Sequence, residues 1–326
     1  MKSWKNKDFF RIFFATDVHA SERTFSKFLN AASFYKADTL ILGGDVTGKL
    51  VVPIFEKENG TFEVVLLGQH LNLNNKEALD EIKSRIGLLG FYHYMTNKSE
   101  WVEIDSSLER YHALYEKLAL ERLEKWISTA EQRLSKENVR MYVTGGNDDP
   151  PTIIDALRNH EWIINSEGRV TMLGEMFPMI SMGYSNHTPW KTPRECSEEE
   201  LAERIREQAS SLSDFKNAIF NFHVPPLNSG IDLAPMVDSS VDPPKYITKN
   251  GMPVMINVGS KAVREAIERY SPMLGIHGHI HESRGSIKIG KTFCVNPGSE
   301  YSEGVLKGVV LNLEERGVKS HQFTSG

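Results

Sequence analysis

Two cysteines in 326 residues, Cys196 and Cys294, are too few for a disulfide framework, and they form no CxxC pair of the kind that holds structural zinc. That scarcity reads as a reducing, cytoplasmic setting. No run of about 18 apolar residues occurs, so no bilayer-spanning helix is expected and no membrane partner. A basic excess is missing too: Lys and Arg total 38 against 43 Asp and Glu, for a net charge of −5. Generic polyanion binders carry a positive surplus, which argues against nucleic acid as the default partner. The amino-terminal stretch MKSWKNKDFFRIFFATD starts basic and turns apolar, but it reaches Asp17 before a signal-peptide core is complete, and it offers no small-residue cleavage site. Internal repeats and low-complexity tracts are absent.

What remains is an ordinary globular composition, 40% hydrophobic and 25% charged, in a chain long enough for one large core with a sizeable insertion. Its apolar runs share a habit. FFRIFFATDVH (9–19) ends at Asp17 and His19, TLILGGD (39–45) at Asp45, and VRMYVTGGND (139–148) at Asn147. NAIFNFH (217–223) ends at His223, and MLGIHGHIH (273–281) at His279 and His281. Continuous apolar runs of this length are expected of strands buried on both faces. Between the first two, Ser21 to Lys36 places Phe25, Phe28, Leu29 and Ala32 at helical spacing, which predicts a crossover helix and parallel strands. In such sheets ligands gather outside the carboxyl ends of the strands, where every one of these polar residues falls.

Residues 50–138 read as an insertion in a single domain spanning 1–326. KLVVPIFEKENGTFEVVLLGQH predicts a hairpin turning at Asn59-Gly60. A helix near 76–87 follows, then a long one near 106–136 with Leu108, Tyr111, Tyr115, Leu118, Trp126, Ala130 and Leu134 along one stripe. This stripe packs on its own domain, or alternatively forms a homodimer contact. Ser197 and Glu200 form a capping box for a charge-laced surface helix. SIKIG and KTFCV predict short strands, with KGVVLNLEE (307–315) as the closing one.

A carboxylate and an imidazole at i and i+2 of a strand, as in Asp17-Val18-His19, face one side and can converge on a cation. Any one such pair is weak, and His70, His93, His112, His160 and His321 read as ordinary core or surface histidines. Seven ligand-type residues each closing an apolar run are another matter. Asp17, His19, Asp45, Asn147, His223, His279 and His281 supply oxygen and nitrogen donors without sulfur, too many for one tetrahedral zinc. They suit two divalent cations sharing a carboxylate, with Mn, Fe or Zn preferred over a dedicated Mg or Ca site.

The series DxH, GGD, GN, H and GHxH resembles the calcineurin-like metallophosphoesterases, over most of the chain outside 50–138, and HVPPLNSG (223–230) and HGHIHESRG…NPGSEYS (277–302) look like a prokaryotic branch of that family. The resemblance implies an α/β fold, a four-layer α/β/β/α sandwich, here with a helical and hairpin insertion. It also implies that Asp17, His19, Asp45 and His281 hold one metal, and Asp45, Asn147, His223 and His279 the other, with Asp45 bridging. One position departs from the pattern. Where the family carries Gly-Asn-His, this chain has Gly146-Asn147-Asp148-Asp149, so the histidine thought to protonate the leaving oxygen is replaced by Asp148. His187, in GYSNHTPW (183–190), is the candidate to stand in as acid, against an ordinary exposed loop residue. The expected function is hydrolysis of a small phosphodiester or activated phosphoester by a two-metal-activated water. A nuclease of the same superfamily and a non-catalytic metal-binding scaffold are the alternatives.

Overall fold

The computed structural model describes residues 9–158, 160–241, 244–315 and 317–326; the basic residues 1–8, weighed above for a signal peptide, lie outside them. The apolar runs do form strands, though shorter than the runs. The first sheet has the order Gly317–Ser325, Lys307–Glu314, Phe10–Ala15, Thr39–Leu42, Arg140–Val143 and Ile163–Asn165. Its four strands from Phe10–Ala15 onward are parallel, and the two carboxyl-terminal strands are antiparallel. In the second sheet the order is Gly285–Ile289, Thr292–Asn296, Leu274–Ile276, Ile219–Phe222, Phe177–Met182 and Thr171–Leu173, parallel except at its two edges.

The two sheets pack face to face through Phe10, Ile12, Phe14 and Ile41 of the first against Phe177, Met179, Ile219 and Ile276 of the second. Outside the first sheet lie the helices Glu22–Phe34 and Leu108–Glu137, which bury Phe25, Phe28, Trp126 and Ala130 together. The helices Glu198–Ala209 and Lys261–Tyr270 cover the second with Leu201, Ile205, Val263 and Ile267. The result is the four-layer α/β/β/α sandwich. Each layer is there because its strands are apolar on both faces and need cover on both.

Between Leu42 and Arg140 runs a four-stranded sheet of Val51–Glu56, Phe62–Leu66, Gln69–Leu73 and Tyr92–Thr96, with its own small core of Val52, Ile54, Val64, Ile82 and Ile86. The hairpin at Asn59-Gly60 forms as expected, with Gly60 at φ +74°. Three readings need correction. Leu108 is exposed, because the helix begins there and only its later turns reach the sheet. The strand Lys307–Glu314 does not close the fold, since Gly317–Ser325 pairs along its outer edge; the alternation Val318, Phe323 against polar residues was too weak to read. The helix after Ser197 is not merely solvated: Leu201, Ile205 and Ala209 are buried, and the Glu198 carboxylate accepts from Ser260 Oγ and from the amides of Lys261 and Ala262, capping the neighbouring helix.

Candidate metal centre

Asp17, His19, Asp45, Asn147 and His279 all sit on loops just past strand ends, and His223 follows directly on Phe222. Asp17 (φ 54°), His19 (φ 40°), Asp45 (φ 48°) and His279 (φ 66°) occupy the left-handed region. The i, i+2 strand argument therefore does not explain why Asp17 and His19 converge; a tight left-handed turn does. Such a turn is costly for non-glycine residues and persists only where the surroundings fix it. Here the amides of Asp17, His19 and Ala20 donate to the carbonyls of Gly44, Asp45 and Val46 at 2.8–2.9 Å, so two ligand loops hold each other. Gly44 is at φ +124°, and a side chain there would strike the His223 ring.

The structure brings six of the seven expected ligands into two groups. Asp17, His19 and His281 present donor atoms within 4.8 Å of one another, and so do Asp45, His223 and His279. The seventh, Asn147, has a buried side-chain oxygen with no partner. Its nitrogen donates to Thr192 Oγ1 at 2.8 Å and to Asp148 Oδ1 at 3.2 Å, which leaves that oxygen as the free donor face. His223 Nδ1 lies 3.0 Å from the Gly43 carbonyl and so carries its hydrogen, leaving Nε2 pointing between Asp45 Oδ2 at 3.4 Å and Asp17 Oδ1 at 3.8 Å. Likewise His19 Nδ1 faces the Thr47 carbonyl at 3.3 Å, and its Nε2 sits 3.1 Å from His281 Nε2.

Electrostatics reinforce the arrangement. Burial would raise the Asp17 carboxyl, but His223, His281 and His19 more than reverse that and hold it well below the usual carboxylate range. Burial opposes charge on His223, yet Asp45 and Asp17 push it up to about 10. His279 is pushed down to about 3 by burial and by the neighbouring His223. The metal-free site thus gathers the Asp17 and Asp45 carboxylates around a His223 that holds its proton, and a divalent cation bound there would displace that proton and take its place between them. Orphaned Asn147 Oδ1 and His223 Nε2, with all-oxygen-and-nitrogen donors, fit divalent metal ions.

A second set of residues holds these candidate donors in place, and the sequence did not reveal it. Asp149 is fully buried and accepts from the amides of Val46, Thr47 and Gly146 and from Thr47 Oγ1 at 2.6–3.0 Å, stitching the Asp45 loop to the Asn147 loop. Arg194 donates to the carbonyls of Asn147 and Gly146 and pairs with Glu167. The Asp148 amide donates to Asp45 Oδ1 at 3.0 Å, and the His279 amide to both Asp17 oxygens at 3.1 Å. Tyr301 lays its ring 4.4 Å from that of His19.

Asp148, which replaces the family's histidine, and His187, the candidate acid, fall differently. The Asp148 side chain is 14% exposed, and Lys49 Nζ stands 2.6 Å from its Oδ2. Burial and Asp45 push this carboxyl upward while Lys49 pulls it down. Lys49 is itself held above its ordinary value, because Asp148 and Asp45 outweigh the burial that opposes its charge, and the 2.6 Å contact makes the two an ion pair. His187 is 72% exposed, belongs to neither ligand group, and has Glu195 as its carboxylate neighbour at 3.7 Å. Lys49 was overlooked, although it follows Asp45 by four residues in Asp45-Val-Thr-Gly-Lys49.

Beneath the ligands, His277 is fully buried with Nδ1 donating to the Phe222 carbonyl at 2.8 Å, and burial pushes its pKa down to about 4 from the ordinary 6.5. Above pH 6.5 it is neutral in both states and contributes nothing. As pH falls below 6.5 the unfolded chain takes up a proton that the folded chain refuses until about pH 4, so stability declines across that window. Urea unfolding should show about 2 kcal/mol lost between pH 7.5 and pH 5 through this residue, a loss that His277→Gln abolishes. An equal decline in both proteins would show that His277 is not responsible.

No model of a known protein family matches the chain. A stretch of 154 residues, 47% of this chain, is 34% identical to an uncharacterized protein of Methanocaldococcus jannaschii and spans 61% of it, less than two thirds of that relative. Among solved structures, TT1561 of Thermus thermophilus is similar with a TM-score of 0.51 at 14% identity, covering 98% of each chain. Another solved chain reaches a TM-score of 0.56 at 17% identity, over 97% of this chain and 98% of its own. Both likenesses show the fold, over nearly its full length. No helix among the described residues is long and apolar enough to cross a membrane.

Proposed function

We propose that this chain is a metal-dependent phosphoesterase of the calcineurin-like kind, binding two divalent cations and hydrolysing a small phosphodiester or activated phosphoester. The observation that carries the reading is the pair of donor groups, Asp17/His19/His281 and Asp45/His223/His279, with the orphaned Asn147 oxygen beside them. Asp45 belongs between the two groups: its Oδ2 lies 3.7 Å from His19 Nε2 and 3.4 Å from His223 Nε2. Bound there, divalent cations would polarise the phosphoryl oxygens and activate a water for in-line attack.

The chain's own residues prepare the ground for that. Gly43 and Thr47 carbonyls hold Nδ1 of His223 and of His19, so Nε2 of each ring is turned inward, and on His223 that nitrogen becomes a donor when a metal displaces its proton. Buried Asp17 and Asp45 are oriented by the His279 and Asp148 amides, which avoids reorganisation on binding. We assign His187 to proton delivery from the loop that Thr192 ties to Asn147; with the donor so exposed, substrates with good leaving groups should react fastest. We also read 1–326 as one domain in which the segment 50–138 walls the site. In support, Gly48 N donates to Tyr92 Oη at 2.8 Å, and Tyr115 Oη donates to the Gly48 carbonyl at 2.6 Å.

Metal-reconstituted protein should turn over bis(p-nitrophenyl) phosphate with added Mn²⁺, lose this with EDTA, and leave plasmid and oligonucleotide DNA intact. Digestion of DNA would favour a nuclease, and metal binding without turnover a scaffold.

A further inference from the structure

We infer that the Lys49–Asp148 ion pair selects substrates by charge, admitting monoanionic phosphodiesters and discriminating against dianionic phosphomonoesters. The inference rests on the phosphoesterase reading and deepens it. Asp148 overlaps the ligand groups at their outer edge: a carboxylate oxygen of it lies with donor atoms of His19 and Asp45 within 4.8 Å of one another. Its amide holds Asp45 Oδ1, its Oδ1 accepts from Asn147 Nδ2, and its Oδ2 lies 3.8 Å from His19 Nδ1 and 2.6 Å from Lys49 Nζ. Lys49 extends from the loop after Asp45 and remains 45% exposed, so one face of the ammonium meets the carboxylate and another meets solvent. The loop beneath it is pinned by Tyr92 and Tyr115 through Gly48.

A phosphoryl group entering this site therefore meets a cation that is already paired. A single negative charge can share the exposed face of Lys49, because the pair is neutral overall. A second negative charge gains little further from Lys49 and is repelled by Asp148. Keeping a carboxylate beside a phosphate site is costly unless it rejects something, and the species it rejects is the more highly charged one. Asp148 acts here as a positioning residue for Lys49 as well as the repulsive element. The proposal concerns binding alone and involves no proton transfer.

The test uses full-length, metal-loaded protein and two esters with the same leaving group, bis(p-nitrophenyl) phosphate and p-nitrophenyl phosphate, so that leaving-group chemistry cancels. Metal content is measured for every variant. Asp148→Asn should raise the ratio of kcat/KM for monoester over diester by roughly tenfold, because Lys49 is unmasked and a dianion gains more from it than a monoanion. Lys49→Met should lower kcat/KM for both esters while metal content stays at the wild-type level. Calorimetry with inorganic phosphate at pH 8 supplies a readout independent of turnover: binding should tighten in Asp148→Asn and weaken in Lys49→Met. An unchanged ester ratio and unchanged phosphate affinity in Asp148→Asn would overturn the inference. Wild-type protein that binds metal but hydrolyses neither ester would instead sink the phosphoesterase reading, and the phosphate titrations would still decide the role of the pair.

Discussion

Asp45→Asn should abolish nearly all turnover and empty both metal positions, while leaving the fold intact. Asp45 is 2% exposed, and its Oδ2 faces histidines from both donor groups, His19 at 3.7 Å and His223 at 3.4 Å. Asparagine keeps the shape and the Oδ1 that accepts the Asp148 amide, but removes the charge that would offset repulsion between two cations. Loss of an outer-shell partner of a metal ligand typically costs 10–100-fold, so losing the shared ligand itself should cost more than about 10²-fold in kcat/KM. Metal analysis beside circular dichroism separates this from unfolding. Wild-type activity and metal content in the variant would remove Asp45 from the bridging position.

Asp149→Ala should be the most destabilising polar substitution near the site. Its carboxylate takes four hydrogen bonds from Val46, Thr47 and Gly146, all in the buried interior. Alanine strands three amides and a hydroxyl where water does not reach, at a cost of about 3 kcal/mol or more. The same bonds hold the loop of Asp45 against the loop of Asn147, so metal affinity should fall with stability, by roughly 10–100-fold. Asp149→Asn retains one accepting oxygen and should fall between the two. Urea denaturation and a Mn²⁺ titration of each variant check both effects; a loss of stability with undiminished affinity would mean that Asp149 supports the fold and not the site.

Much of this arrangement was legible because it is local. Phe10–Ala15, Thr39–Leu42 and Ile219–Phe222 are mostly apolar runs, each with a single polar residue (Arg11, Thr39 and Asn221), and the residues that follow them are the donors that cluster. The reason for their convergence was not legible, since left-handed turns at Asp17 and His19 leave no periodic signature. Lys49 escaped for a different reason. Its place beside Asp148 depends on Tyr92 and Tyr115, which reach Gly48 from far along the chain. Asp149 was visible only as the neighbour of an unusual residue, although its four hydrogen bonds are what allow Asp148 and Asn147 their positions. His187, conspicuous in its motif, stands exposed beside Glu195 and outside both donor groups. Single residues at strand ends can be read from sequence; partners contributed by distant loops need the fold.

We propose that these buried carboxylates and imidazoles hold two divalent cations. Equilibrium dialysis of the chelator-stripped chain against increasing Mn²⁺, read by elemental analysis, tests it most directly. The wild-type chain should saturate at two ions, and Asp45→Asn below one. Saturation of the wild-type chain at one ion, or no binding of Mn²⁺ or Zn²⁺ at all, would contradict it.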